Sequence, residues 1–184
     1  MNQEYAFILL TGPKHAGKTT AGRAFGQLSS GDFIDLDELI EQRTGKSPRT
    51  LYKEGPEYFR LAETEALETL LSMETGQGKA PVIMAAGGGI IDNEAALKKL
   101  KTAKVFIVYL EVSAETAWHR IQAAGSLPPF LDTPNPQETH KKLHQRRAEA
   151  YKTLAHITIQ SEGKTPESLA QDIQRFFKSY SKNS

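Results

Sequence analysis

The sequence predicts an α/β fold in which a parallel sheet is covered by helices on both faces. Three observations carry that prediction. Short apolar runs recur five times along the chain, helical patterns lie between them, and a glycine-rich loop joins the first run to the first helix. Strands alternating with helices indicate βαβ units, whose crossovers lay helices on the sheet. At 184 residues the chain suits one domain with one sizeable core, so residues 1–184 are read as a single unit.

The strands are expected at AFILL (6–10), DFID (32–35), PVIMAA (81–86), KVFIVYL (104–110) and HITI (156–159). Each is a short apolar run of the kind a buried parallel strand requires. Helical periodicity is found over 18–29, about 37–44, 57–73, 93–101, 113–123, 136–153 and 166–179. The stretch AAGSLPPFLDTPNP (123–136) has a glycine and four prolines. It cannot continue a helix, and a loop of that length in a compact domain is a lid or a binding loop. The first few residues and the closing SKNS are expected to fray.

Composition narrows the function. Apolar residues make up 39% and charged residues 24%, an ordinary globular balance. A net charge of +1 gives no polyanion footprint, which argues against nucleic acid as a partner. The absence of cysteine excludes disulfides, thiolate chemistry and cysteine-ligated zinc, and fits a reducing compartment. The N-terminus lacks a basic region, and its apolar run is too short for a secretory leader. No stretch approaches a membrane span. The expectation is a cytoplasmic protein with no membrane partner.

The first chemistry-bearing motif is GPKHAGKTT, 12–20. Gly12-x-x-x-x-Gly17-Lys18-Thr19 satisfies the phosphate-loop pattern in full. Its glycines let the N–H groups of Lys14, His15, Ala16 and their neighbours turn onto phosphate oxygens. Lys18 reaches the β/γ-phosphates, and the hydroxyl of Thr19, followed by Thr20, ligates Mg²⁺. The helix beginning at Lys18 points its positive end at the anion. The cofactor expected here is MgATP, since no guanine-reading N-K-x-D appears.

FIDLDELIE (33–41) puts Asp35 and Asp37 at a strand end, where alternation would point both the same way. One carboxylate can serve the magnesium shell and the other an acceptor hydroxyl, although Asp37 would equally suit a helix N-cap. In helix 57–73, Arg60 and Glu63 fall on the apolar stripe of Phe59, Ala66, Leu67, Leu70 and Leu71. Inward charges require pairing, and an Arg60–Glu63 pair lining a polar cavity would supply it. Arg147 lies similarly among Leu143, Ala150, Tyr151 and Leu154. Two inward arginines suggest an anionic ligand, the alternative for each being a snorkelling surface side chain. Gly87-Gly88-Gly89 at another strand end allow close backbone approach, or simply a turn. Trp118 and Phe176-Phe177 fit helix core faces. Lys141, Lys142 and Arg146 fit a solvated one, and His140 and His144 lack a third ligand for a metal.

Together these residues resemble the shikimate kinase family. The resemblance spans about residues 7–175. It is carried by FIDLDELIEQRTGKS, EGPEYFRLAETEAL, the triple glycine and the R-x-x-x-Y of Arg147 to Tyr151. It implies a three-layer P-loop kinase fold with strand order 2-3-1-4-5, an acceptor-binding region at about 33–62 and a lid at about 123–136. It implies transfer of the γ-phosphoryl of MgATP to the 3-hydroxyl of shikimate, in aromatic amino-acid biosynthesis, by a monomer. Asp37 would activate the hydroxyl and Asp35 support magnesium. Arg60, oriented by Glu63, and Arg147 would clamp the shikimate carboxylate. Gly88 and Gly89 would donate backbone contacts beside Gly87, and Phe59 would wall the pocket. Adenine would lie between Arg120 and the loop after HITI, at Gln160.

Three features depart from the family pattern. The lid reads LPPFL (127–131) without the customary arginine, Lys14 and His15 stand where an uncharged residue and a glycine are usual, and Glu149 replaces a proline. Two alternatives therefore stand beside a shikimate kinase: a kinase for another small hydroxy acid, gluconate-like, and a nucleotide-binding relative with weakened catalysis.

Overall fold

A computed structural model of the chain describes residues 5–73, 80–125 and 127–183. Five strands, β1 (Phe7–Thr11), β2 (Phe33–Asp35), β3 (Val82–Ala85), β4 (Val105–Glu111) and β5 (Ile157–Gln160), form one sheet. Every pairing is parallel and the order is β2-β3-β1-β4-β5, as the resemblance implied.

Side-chain alternation along the strands creates two cores. Phe7, Leu9, Val82, Met84, Val105 and Ile107 face one side. There they meet α2 (Leu36–Thr44), α3 (Pro48–Glu54), α4 (Pro56–Leu71) and α5 (Glu94–Thr102). Ile8, Leu10, Ile83, Phe106 and Val108 face the other. They pack on α1 (Lys18–Ser29), α6 (Ala114–Ala123) and α8 (Pro166–Asn183). Helix α7 (Pro136–Leu154) packs on β4, where Tyr151 stacks on Tyr109 with ring centroids 5.0 Å apart.

Some boundaries differ from the sequence expectation. Helix α3 falls between the helices expected at about 37–44 and 57–73, yet its start is locally encoded: Ser47 caps it, accepting from Thr50 N–H, and Pro48 opens it. Gly55 and Pro56 then end it and begin α4. The 123–136 stretch includes a single 3-10 turn, Pro129–Leu131, whose Leu131 is fully buried beside Trp118 and Ile121. Trp118 is core as expected, and Phe177 packs against the cluster of Leu169, Ala170 and Ile173, whereas Phe176 is exposed. Helix α8 runs to Asn183 instead of ending at 179. The fraying expected at residues 1–4 and Ser184 lies outside the described residues, as does Ser126 of the lid. Among the described residues no helix is long and apolar enough to cross a membrane.

Candidate active site

The carboxyl ends of β1, β3 and β2 lie on the glycine-loop side of the parallel sheet, which follows from strand order: β3 is beside the central β1 and β2 beside β3. Gly12 has φ 140°, and a Cβ there would sit 2.5 Å from the Leu110 carbonyl oxygen. Gly17 takes the left-handed region as N-cap of α1. His15 does so too, at φ 62°, a conformation that costs a non-glycine residue about 1–2 kcal/mol. Its carbonyl accepts from Arg120 Nη1 at 2.7 Å, so Arg120 props the loop from α6.

Lys18 is the buried cation of the loop. Its ammonium donates to the carbonyls of Gly12 (3.0 Å) and Pro13 (2.8 Å). Burial pulls its pKa down to about 8, against the opposing pull of Asp37 and Asp35. Thr19 Oγ1 donates to Asp35 Oδ2 at 2.6 Å, bringing together two hard oxygens of the type a magnesium ion takes.

Asp35 and Asp37 do face one cavity, but not through strand alternation. The strand stops at Asp35, which is the N-cap of α2 and accepts from Asp37 N–H at 3.0 Å. Asp37 is thus in the first helical turn, and the capping role belongs to its neighbour. Its Oδ1 is buried without a hydrogen-bond partner among the described residues. Burial raises its pKa, the charge of Asp35 adds to this, and Lys18 and Lys14 oppose it. A Cβ on Gly87 would come within 3.0 Å of that same oxygen, so glycine there leaves Asp37 its space.

These groups line a cavity of about 340 Å³. Lys14, His15, Lys18, Thr19, Asp35 and Asp37 form its phosphate-loop side, and Gly87, Gly88, Gly89, Phe59 and Arg147 its acceptor side. Gly88 packs on the loop backbone, where a Cβ would meet Lys14 N at 3.2 Å, and its carbonyl accepts from Tyr151 OH. Arg147 reaches Asp92 Oδ2 through Nε (2.9 Å) and Nη2 (2.7 Å). A larger hollow of about 830 Å³ beside Trp118 and Pro136 holds none of the predicted residues.

The predicted Arg60–Glu63 pair is not formed. Glu63 is fully buried while Arg60 is exposed. Glu63 Oε2 instead accepts from Asn93 Nδ2 at 3.0 Å, and the same amide donates to the Arg60 carbonyl at 2.8 Å. Burial lifts the Glu63 pKa to about 7. Arg120 and Gln160 do not line the cavity; Gln160 is exposed and bonds Glu111.

Sequence reasoning missed several contributors. Pro48, Arg49 and Tyr52 come from the unassigned α3, and Pro128, Pro129 and Phe130 from the lid opposite. His140 and His144 lie on the same inward stripe of α7 as Arg147. Burial, reinforced by His144 and Arg147, lowers the His140 pKa to about 4. Asn93 could have been found as an N-cap before the periodic EAALKKL, a role it fills by accepting from Ala96 N–H. No local signal marks Asp92.

The shikimate kinase family model matches residues 14–178. The shikimate kinase of Marinomonas sp. is 34% identical over 90% of this chain and 88% of its own length. That of Acinetobacter baylyi is 36% identical over 91% and 89%. A solved structure of shikimate kinase from Acinetobacter baumannii in complex with shikimate superposes with a TM-score of 0.83 at 32% identity, covering 97% of this chain and 96% of that one. With a family match over nearly its whole length and the phosphate loop, paired aspartates and triple glycine in one cavity, this chain belongs to the shikimate kinase family.

Proposed function

We propose that the protein transfers the γ-phosphoryl group of ATP to the 3-hydroxyl of shikimate, giving shikimate 3-phosphate and ADP. The observation that carries this reading is Asp37. A buried carboxylate oxygen without a partner among the described residues stands in one cavity with the phosphate-loop lysine and an inward arginine. It is placed to accept the proton of a hydroxyl as that oxygen attacks phosphorus.

The loop from Gly12 through Thr20 cradles the phosphates, and Lys18 exchanges its two carbonyl partners for β/γ-phosphate oxygens. Thr19 and Asp35 suit a magnesium ion, which when bound would neutralise phosphate charge. Arg147 receives the acceptor carboxylate, with Gly88 and Gly89 offering backbone contacts and Phe59 forming an apolar wall. Arg60 is assigned to the same carboxylate and would reach it by swinging in from solvent. Arg120 and Gln160 are assigned to the adenine side. The reading includes one catalytic unit, acting as a monomer in the cytoplasm.

The lid brings proline and phenylalanine to the cavity but no cation. Lys14 lines the same cavity, is exposed, and makes no ion pair among the described residues. It lies close enough to act electrostatically on Asp37 and Lys18. Lys14 is therefore read as the cation that supplements Lys18 at the transferring phosphoryl. Lys14→Met is expected to lower kcat about tenfold, equivalent to about 1.4 kcal/mol of barrier; an unchanged kcat would remove Lys14 from the mechanism.

The reading as a whole is tested by ADP release from MgATP with and without shikimate, with quinate and gluconate in parallel. Strong stimulation by shikimate alone is the expected result. Stimulation by gluconate instead would assign another hydroxy acid, and none by any acceptor would mark a nucleotide-binding relative.

A further inference from the structure

Arg147 is not a free cation waiting for a carboxylate: it already has one. Asp92 follows the triple glycine in the 3-10 turn Ile90–Asp92, its N–H donating to the Gly89 carbonyl at 2.9 Å. One of its oxygens takes both the Nε and Nη2 protons of Arg147, at 2.9 and 2.7 Å. The other lies 2.8 Å from Nη1 of Arg146. The Asp92 and Arg147 side chains are only 17% and 16% exposed, while that of Arg146 is 60% exposed. The ring of Phe130 covers the Arg147 guanidinium, 5.4 Å from centroid to Cζ. Arg147 Nη1 makes no hydrogen bond among the described residues.

Charge counting gives these contacts a purpose. Among the groups already packed at the site, with Arg60 still in solvent, an Asp92–Arg147 pair alone is neutral, and adding an acceptor carboxylate would leave two anions on one cation until Arg60 swings in. Such an excess charge is costly to bury. With Arg146 included, two guanidinium groups face one carboxylate, and a ligand carboxylate brings the group to neutrality. Asp92 meanwhile fixes the Nε edge of Arg147, which determines where the remaining Nη1 edge points. A planar guanidinium held on one edge is pre-organised for an anion on the other.

We propose that Asp92 is a positioning residue for the acceptor-carboxylate site and that Arg146, one residue from the clamp and largely in solvent, supplies the charge that lets Arg147 bind a second carboxylate. The proposal rests on the assignment of Arg147 to the acceptor carboxylate made above. Neither residue touches the reacting atoms. Both act on acceptor binding through Arg147, so their effects belong in KM for the acceptor and not in kcat.

The test is steady-state kinetics with shikimate and with its methyl ester, which lacks the charge. Arg146→Gln is expected to raise KM for shikimate about three- to tenfold, with kcat, KM for ATP and kcat/KM for the ester unchanged. Asp92→Ala is expected to raise KM for shikimate at least about tenfold. Asp92→Asn keeps an acceptor oxygen for the Nε–H and should restore most of that loss. In the Asp92→Asn background there is no carboxylate to balance, so Arg146→Gln should then have no effect. Thermal unfolding and KM for ATP report whether each variant is folded. Arg147→Ala serves as the reference. If it raises KM for shikimate while Asp92→Ala does not, the proposal is overturned and the clamp reading stands. An Arg146→Gln effect equal on acid and ester overturns the charge-balancing role. An unchanged KM in Arg147→Ala overturns the clamp reading itself, and the proposal with it.

Discussion

Asp37→Asn is expected to lower kcat for acceptor phosphorylation about 10²–10⁴-fold, the range for loss of a positioned general base. The asparagine preserves shape and a hydrogen-bonding oxygen but cannot take the hydroxyl proton. KM for ATP should be unchanged, because the phosphate loop is held by its own backbone and by Lys18. Stability should not fall. Burial and the Asp35 charge raise the pKa of Asp37 above its unfolded value, so its ionised form is disfavoured in the fold at neutral pH. That penalty appears as pH rises through the unfolded pKa and is complete above the folded one. Replacement by a neutral amide removes it, so the variant should unfold at the same temperature or higher near pH 7. In the wild type, the same raised pKa predicts that kcat falls as pH drops through it. Steady-state kinetics paired with thermal unfolding checks both, and an unchanged kcat would remove Asp37 from proton transfer.

Lys18→Met should lower kcat/KM for ATP about 10³-fold, the scale for losing a preorganised cation from a phosphoryl-transfer site. Its pH signature is equally specific. In the free protein the buried ammonium has its pKa lowered to about 8, so affinity for ATP should be flat below pH 8 and weaken above it as the proton is lost. Stability moves the other way. Between the folded value and the unfolded value near 10.5, the unfolded chain holds more protons at this site, so stability rises with pH. The rise is on the order of 3 kcal/mol. Lys18→Met lacks the titrating group, so the difference in stability between wild type and variant should change across this window. A constant difference from pH 8 to 10.5, or ATP affinity independent of pH, would show that Lys18 is not desolvated as described.

What the sequence alone determined about this protein is whatever short-range pattern encodes. The phosphate loop was legible because its eight positions are contiguous and its glycines have a steric reason, seen in the clash a Cβ on Gly12 would make with Leu110. Strands β1, β3 and β4 were legible because each is a nearly continuous apolar run buried on both faces, and the edge strands β2 and β5 because shorter apolar runs mark them even though they are only partly buried. The inward stripe of α7 was legible because helical periodicity put Arg147 in register with Leu143 and Tyr151. Helix α3 was equally encoded, by Ser47, Pro48 and Gly55, and was overlooked because seven residues are too few for a periodic signal.

Tertiary structure decided what depends on partners distant in sequence. A helical wheel assigns a face but not which turn of the helix is covered, so Glu63 is buried as its stripe predicts while Arg60, one turn earlier, is in solvent. Glu63 finds Asn93, 30 residues away, and Arg147 finds Asp92, 55 residues away. Neither pairing leaves a trace in local pattern, because the groups meet only where the turn after β3 folds against α4 and α7. Charge is long-ranged and its partners are set by packing. That is why the loop that binds phosphate could be read from the sequence, and the ion-pair network around the carboxylate clamp could not.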